Sequence, residues 1–178
     1  KSFIRDTSPM IVVMGGTWIV YLLASSIGPG VNYDTGLYHA QAMQWMEKFY
    51  VIPGLGNLHG RLAFNSSWVA INAFFNAPFR EIGSVRVLNT WLMICAVFLF
   101  TGRINKLLKN HFTLTNLVTL LMAFFMLLYF PGDSSYGTDL PGTLFCWFAV
   151  MFFLVSLEDA PGKLNRIFCL FFICTAVT

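Results

Sequence analysis

The stretch LAFNSSWVAINAFFNAPF, Leu62–Phe79, decides how this chain folds. It is nearly as long as the roughly 20 apolar residues that cross a bilayer, yet it holds Asn65, Ser66, Ser67, Asn72, Asn76 and Pro78. If it crosses, every later loop changes side. Four runs around it are less ambiguous: Pro9–Gly28, Val85–Gly102, Leu114–Pro131 and Leu140–Leu157. In lipid a backbone must satisfy its own hydrogen bonds, so such runs are read as spanning helices. The basic residues then arbitrate. If Leu62–Phe79 does not cross and the N-terminus is inside, Lys1, Arg5, Arg103, Lys106, Lys109, Lys163 and Arg166 share the inner side. Lys48, Arg61, Arg80 and Arg86 then lie outside. If it crosses, only Lys1, Arg5, Arg80 and Arg86 remain inside. Cytoplasmic loops carry the excess of Lys and Arg, which favours the first arrangement.

Composition points the same way. Charged residues make up 11% of the 178 and hydrophobic residues 57%, against about 25% charged in a soluble domain. A net charge of +3 suits a membrane protein with basic cytoplasmic loops better than a nucleic-acid binder, which would cluster its basic residues on a face or stripe. Cys95, Cys146, Cys169 and Cys174 fall within apolar runs without metal-ligand spacing and read as buried, inert thiols. Residue 1 is Lys, and the last apolar run, Ile167–Thr178, is too short to span. The expectation is therefore one all-α, polytopic membrane domain over 1–178, part of a longer protein. It has spans at 9–28, 85–102, 114–131 and 140–157, with a truncated fifth from 167.

The first external loop, 29–84, carries structure of its own. From Asp34, residues Leu37, Ala40, Met43, Met46 and Tyr50 recur at helical spacing, with Gln41, Gln44, Glu47 and Lys48 between them. That pattern predicts an amphipathic interfacial helix over 34–50. Pro53, Gly54 and Gly56 end it, and 62–79 follows as a second interfacial helix whose Asn65, Asn72 and Asn76 share a face.

Few residues here can carry chemistry. Asp34 suits a helix N-cap, or, at the mouth of a membrane cavity, a general base. His39 lies five residues on, about 140° around an α-helix from Asp34, which argues against pairing within the helix. The run GLGNLHG fails the dinucleotide fingerprint, because His59 stands where its last glycine belongs. It leaves an external loop in which Arg61, with His59, is a candidate phosphate contact, or a headgroup contact without catalytic meaning. The short second external loop, 132–139, holds Asp133 and Asp139 on the side of Asp34. Asp139 can cap the helix that begins at Leu140-Pro141, or serve as a second acid for an acceptor or a divalent metal.

Together these features resemble the N-terminal part of a GT-C glycosyltransferase, a polytopic enzyme that uses polyprenyl-phosphate-linked sugars. A first span runs into a long external loop with an early aspartate and a surface helix, and a second acid follows in the sequence TDLPG. That sequence is similar to the D-x-P helix start of bacterial protein-mannosyltransferase and lipid A aminoarabinose transferase relatives. The run from Tyr33 through Trp68 looks closer to a group of bacterial GT-C-like membrane proteins. The resemblance implies Asp34 as the base that deprotonates the acceptor and Asp139, with Asp133, at the acceptor or a metal. Tyr38, His39, His59, Arg61 and Asn65 would meet the donor sugar or phosphate. Many GT-C enzymes pair two acids at the first site; here Thr35 follows Asp34.

The implied function is sugar transfer to a glycan, lipid or protein acceptor at the outer face of the bacterial inner membrane, with the N-terminus cytoplasmic and the first loop periplasmic. The implied partners are membrane lipid, the lipid-linked sugar and its acceptor. The competing expectation is a non-catalytic scaffold or accessory subunit of a cell-envelope complex. A transporter fits less well, because every complete span is free of acids.

Overall fold

The computed structural model describes residues 7–27, 33–49, 52–63, 66–76, 87–109, 111–129, 136–158 and 163–177. Among these residues the fold is all-α. In chain order the elements are α1 (Pro9–Ile27), a π-helical turn (Thr35–His39) running into α2 (Ala40–Lys48), and α3 (Leu55–Leu58). A 3-10 turn (Gly60–Ala63), α4 (Ser67–Asn76), α5 (Val87–Leu108), α6 (Leu114–Tyr129), α7 (Asp139–Glu158) and α8 (Lys163–Val177) follow.

Among the described residues three helices are long and apolar enough to cross a membrane: α1, α5 over Leu88–Leu108, and α7. Helix α6 is equally apolar but has 16 residues, about 24 Å of rise. Helix α4, in the middle of the ambiguous stretch, has 10 residues, or about 15 Å, half a hydrocarbon core.

Hydrogen bonds define two ends of the bundle. At one end the Ser8 N–H donates to Asn105 Oδ1 (3.0 Å), tying the start of α1 to the last turn of α5. The Thr115 N–H donates to Glu158 Oε1 (2.8 Å), tying the start of α6 to the end of α7. At the other end Trp68 Nε1 donates to Asn89 Oδ1 (2.9 Å), and Asn89 Nδ2 donates to the Gly137 carbonyl (3.2 Å). Asn89 thus joins α4, the first turn of α5 and the lead into α7, and it is buried. The described residues of the first loop, 33–49, 52–63 and 66–76, therefore sit at the end of the bundle where α7 begins.

The main core lies between α1, α5, α6 and α7, around Leu22, Met93, Val97, Phe100, Leu144 and Phe148. Gly15 lets α1 approach α5, since a Cβ there would stand 3.2 Å from Thr101 Cγ2. Helix α8 packs on α7 through Phe172, whose ring stacks on Phe152 at 5.7 Å and meets Phe148 edge-on at 5.2 Å. The outward faces remain apolar: Val13, Trp91, Leu121, Phe124 and Leu157 are each at least 60% exposed. The cysteines depart from expectation. All four are free, but Cys95, Cys146 and Cys174 lie exposed on helix surfaces rather than within the core.

A second, smaller core holds the loop elements together. Met43 of α2 meets Val69 and Ala73 of α4, and Tyr136 closes the cluster from the approach to α7. One apolar stripe of α2, through Ala40 and Met43, is thus buried against α4.

Candidate functional site

The site is built where the π-helical turn, the 3-10 turn and the start of α7 meet. Asp34 is not a cap: its backbone is already helical (φ −67°, ψ −25°) and its side chain makes no capping hydrogen bond. Its carboxylate instead receives a hydrogen bond from Arg61 Nη1 at 2.7 Å. The two side chains are 36% and 45% exposed, so the pair lies at the surface. The Arg61 guanidinium also covers the Tyr38 ring, with Cζ 5.2 Å from its centroid, a cation–π contact that fixes the guanidinium plane.

Arg61 is placed by its loop. Gly54 has φ 82°, a left-handed conformation that glycine tolerates best. Gly56 lies so near the 3-10 turn that a Cβ there would stand 3.0 Å from Ala63 Cβ. His59 is exposed, and its Nδ1 accepts a hydrogen bond from the Arg61 backbone N–H (3.2 Å). It therefore shapes the turn that carries Arg61.

The π turn changes the position of His39. An ideal α-helix would rotate it well away from Asp34. An i→i+5 turn, marked by the Ala40 N–H donating to the Thr35 carbonyl, stacks residues five apart more nearly above one another. His39 is 7% exposed, its ring centroid lies 4.1 Å from that of Tyr38, and its Nδ1 has no hydrogen-bond partner. Burial pushes the imidazole below its ordinary pKa. Asp34 and Asp139 pull it upward, and Arg61 adds to the depression. Burial raises the Tyr38 hydroxyl, and Asp34 and Asp139 raise it further against Arg61. Asp139 itself is exposed, in the first turn of α7, where the helix dipole favours a carboxylate.

Tyr38, His39 and Arg61 border a cavity of about 530 Å³, within the range of small-molecule sites; Asp34 reaches its edge through Arg61. Tyr38, His39, Arg61 and Thr138 give it a polar side, and Trp45, Phe49, Leu55 and Leu62 give it an apolar wall. Tyr38 of the π turn, Ala42 and Trp45 of α2, and Phe49 just after it line the cavity beside the stripe buried on α4. Their spacing of four, three and four residues was the available signal for that wall. Thr138 carried none, because only the fold brings it here.

The structure therefore brings Asp34, Tyr38, His39 and Arg61 together, and Asp139 near enough for its charge to act on Tyr38 and His39. Asp133 and Asn65 lie outside the described residues. Among the described residues, no group of three or more His, Cys, Asp or Glu side chains converges to hold a metal ion.

Among the described residues, fold and site define an all-helical protein with three helices long and apolar enough to cross a membrane and a cavity with one polar side at one end of the bundle. The chain belongs to the family described as Domain of unknown function (DUF8201), which matches residues 1–178. Comparison with curated proteins and with solved structures gives no match.

Proposed function

We propose that this chain is a GT-C-type membrane glycosyltransferase, moving a sugar from a polyprenyl-phosphate donor to an acceptor at the outer face of the bacterial inner membrane. The membrane placement rests on three long apolar helices and their exposed apolar faces. Arg103, Lys106 and Lys109 lie at the end of the bundle away from the cavity, and by the positive-inside rule this supports a cavity on the outer side.

The observation that carries the chemical reading is the Asp34–Arg61 pair beside the cavity. A guanidinium holds phosphate as readily as carboxylate. A donor phosphate arriving at Arg61 competes with Asp34 for it and releases a carboxylate beside the reacting groups. The acceptor oxygen then attacks the anomeric carbon, and its proton passes to Asp34. The bond from that carbon to the phosphate oxygen breaks, its electron pair leaving on the phosphate at Arg61. Attack opposite the leaving phosphate inverts the anomeric centre. In this reading Asp139, whose charge acts on Tyr38 and His39, helps to orient the acceptor.

The test is transfer from polyprenyl-phosphate hexoses by the purified chain in proteoliposomes. Asp34→Asn is expected to lower the rate at least about a hundredfold; full activity in that variant would remove Asp34 as the base. A second reading has one observation in its favour. An exposed, mutually satisfied ion pair is also what a structural tie between two loop segments looks like. A non-catalytic scaffold would show no transfer from any donor, with or without Asp34→Asn.

A further inference from the structure

We infer that the cavity recognises its occupant at two polar points, with an anionic group on Arg61 and a hydroxyl on His39. The inference rests on the reading of Arg61 as a phosphate contact and adds the chemistry of the second point. His39 borders the cavity and is 7% exposed, and its Nδ1 has no hydrogen-bond partner. A buried polar nitrogen left unmatched is costly, and buried polar groups nearly always have a partner. The Cβ–Cγ torsion of histidine is broad, so the ring can turn its nitrogen toward the cavity it borders.

The groups facing His39 select what it can receive. Asp34 and Asp139 act on it with negative charge, Arg61 with positive charge, and the Tyr38 ring packs at 4.1 Å. Two carboxylates disfavour a second anion at the imidazole, which leaves Arg61 as the place for the anionic group. Burial keeps the imidazole neutral, so Nδ1 offers either a lone pair or an N–H according to tautomer. A hydroxyl both donates and accepts and therefore matches either tautomer. An ammonium group, which only donates, matches one. The apolar wall at Trp45, Phe49 and Leu62 covers the carbon skeleton between the two points. The occupant is thus a polyol phosphate, its anion and its hydroxyl meeting the two residues that pack on the Tyr38 ring, Arg61 and His39.

The experiment is a binding cycle on the full chain in nanodiscs. Its probes are inositol 1-phosphate and cyclohexyl phosphate, which share a ring and a phosphate and differ in their hydroxyls. His39→Phe is expected to weaken inositol phosphate about tenfold and leave cyclohexyl phosphate unchanged, which also reports that the cavity is folded. His39→Gln, with both a donor and an acceptor, is expected to stay within about threefold of the parent. Arg61→Gln is expected to weaken both probes. Competition by phosphatidylinositol supplied in the bilayer assigns the contact to a lipid headgroup, and undiminished binding in its presence assigns it to a soluble polyol phosphate; both outcomes support two-point recognition. Equal changes for the two probes in His39→Phe, no change for either, or no binding by the parent would overturn it. The cycle needs no turnover, so a chain that binds as described but transfers no sugar would sink the transferase reading alone.

Discussion

Arg61 Nη1 meets Asp34 Oδ1 at 2.7 Å, so the two groups expected to take the proton and the phosphate are bound to each other across 27 residues of chain. As a tie between exposed side chains the pair contributes little to stability, about 0.2–1 kcal/mol. Asp34→Asn is therefore expected to leave the melting temperature nearly unchanged. It removes a competitor for Arg61, so cyclohexyl phosphate is expected to bind several-fold more tightly to the variant than to the parent. Calorimetric titration of both proteins gives the comparison. Unchanged or weaker binding would show that the carboxylate does not compete with the ligand.

His39 gives the site a pH dependence whose sign follows from its burial. Its pKa in the folded protein is lowered from the ordinary 6.5, so between the two values the unfolded chain binds the extra proton. The associated stability is complete above about pH 6.5 and is lost as pH falls through the folded value. The parent is expected to lose stability on passing from pH 7 to pH 5, and His39→Gln to show a flatter profile over the same range. Chemical denaturation in detergent at the two pH values measures it. Parallel profiles would mean that His39 does not titrate differently in the folded and unfolded states.

Much of the frame was legible because it depends on summed quantities. Run length and polar content set Leu62–Phe79 apart, and its described helix, Ser67–Asn76, is too short to cross a bilayer. The basic residues near Arg103 and the residues around Asp34 lie at opposite ends of the bundle. The site was less legible because it depends on local departures. A 3.6-residue periodicity cannot disclose the π turn at Thr35–His39, so His39 was turned away from the groups it faces. The stripe through Ala40 and Met43 also masked its neighbour through Tyr38, Trp45 and Phe49, since α2 is apolar on two faces. The Asp34–Arg61 pair needed the loop to fold back, which depends on the left-handed Gly54. Neither hydropathy nor charge bias reports that.

The two ends of the bundle make a labelling experiment decisive for orientation. Asn57 lies in α3 beside the cavity, and Lys109 follows α5 at the opposite end; both are exposed. In intact bacteria an impermeant maleimide is expected to label Asn57→Cys and to leave Lys109→Cys unlabelled until the membrane is opened. The exposed native cysteines Cys95, Cys146 and Cys174 lie within apolar helices, and a cysteine-free background removes their signal. The reverse pattern would place the cavity on the cytoplasmic side.

Asn89 is the polar joint of the cavity end. Its amide accepts from Trp68 Nε1 and donates to the Gly137 carbonyl, and the residue is 1% exposed. Asn89→Leu removes both bonds at once and leaves buried polar groups to be rematched, at about 1–3 kcal/mol each. A loss of at least about 2 kcal/mol in unfolding free energy is expected. Because Gly137 precedes Thr138 in the cavity wall, weaker phosphate binding is expected as well. Stability within about 0.5 kcal/mol of the parent would show that water or other residues replace the joint.

The loop that presents Arg61 is tested through its glycines, which differ in what a side chain would meet. At Gly54 the left-handed φ of 82° penalises any β-carbon, by about 1–2 kcal/mol. At Gly56 the obstacle is Ala63 Cβ at 3.0 Å, on the turn that carries Arg61. At Gly60 a Cβ meets nothing within 4 Å. Gly54→Ala and Gly56→Val are therefore expected to weaken phosphate binding several-fold, because each shifts the 3-10 turn away from Asp34 and Tyr38. Gly60→Ala, one residue from Arg61, is expected to bind like the parent. Phosphate titration of the three variants discriminates sharply. A defect confined to Gly60→Ala, or shared equally by all three, would mean that something other than this loop geometry places the guanidinium.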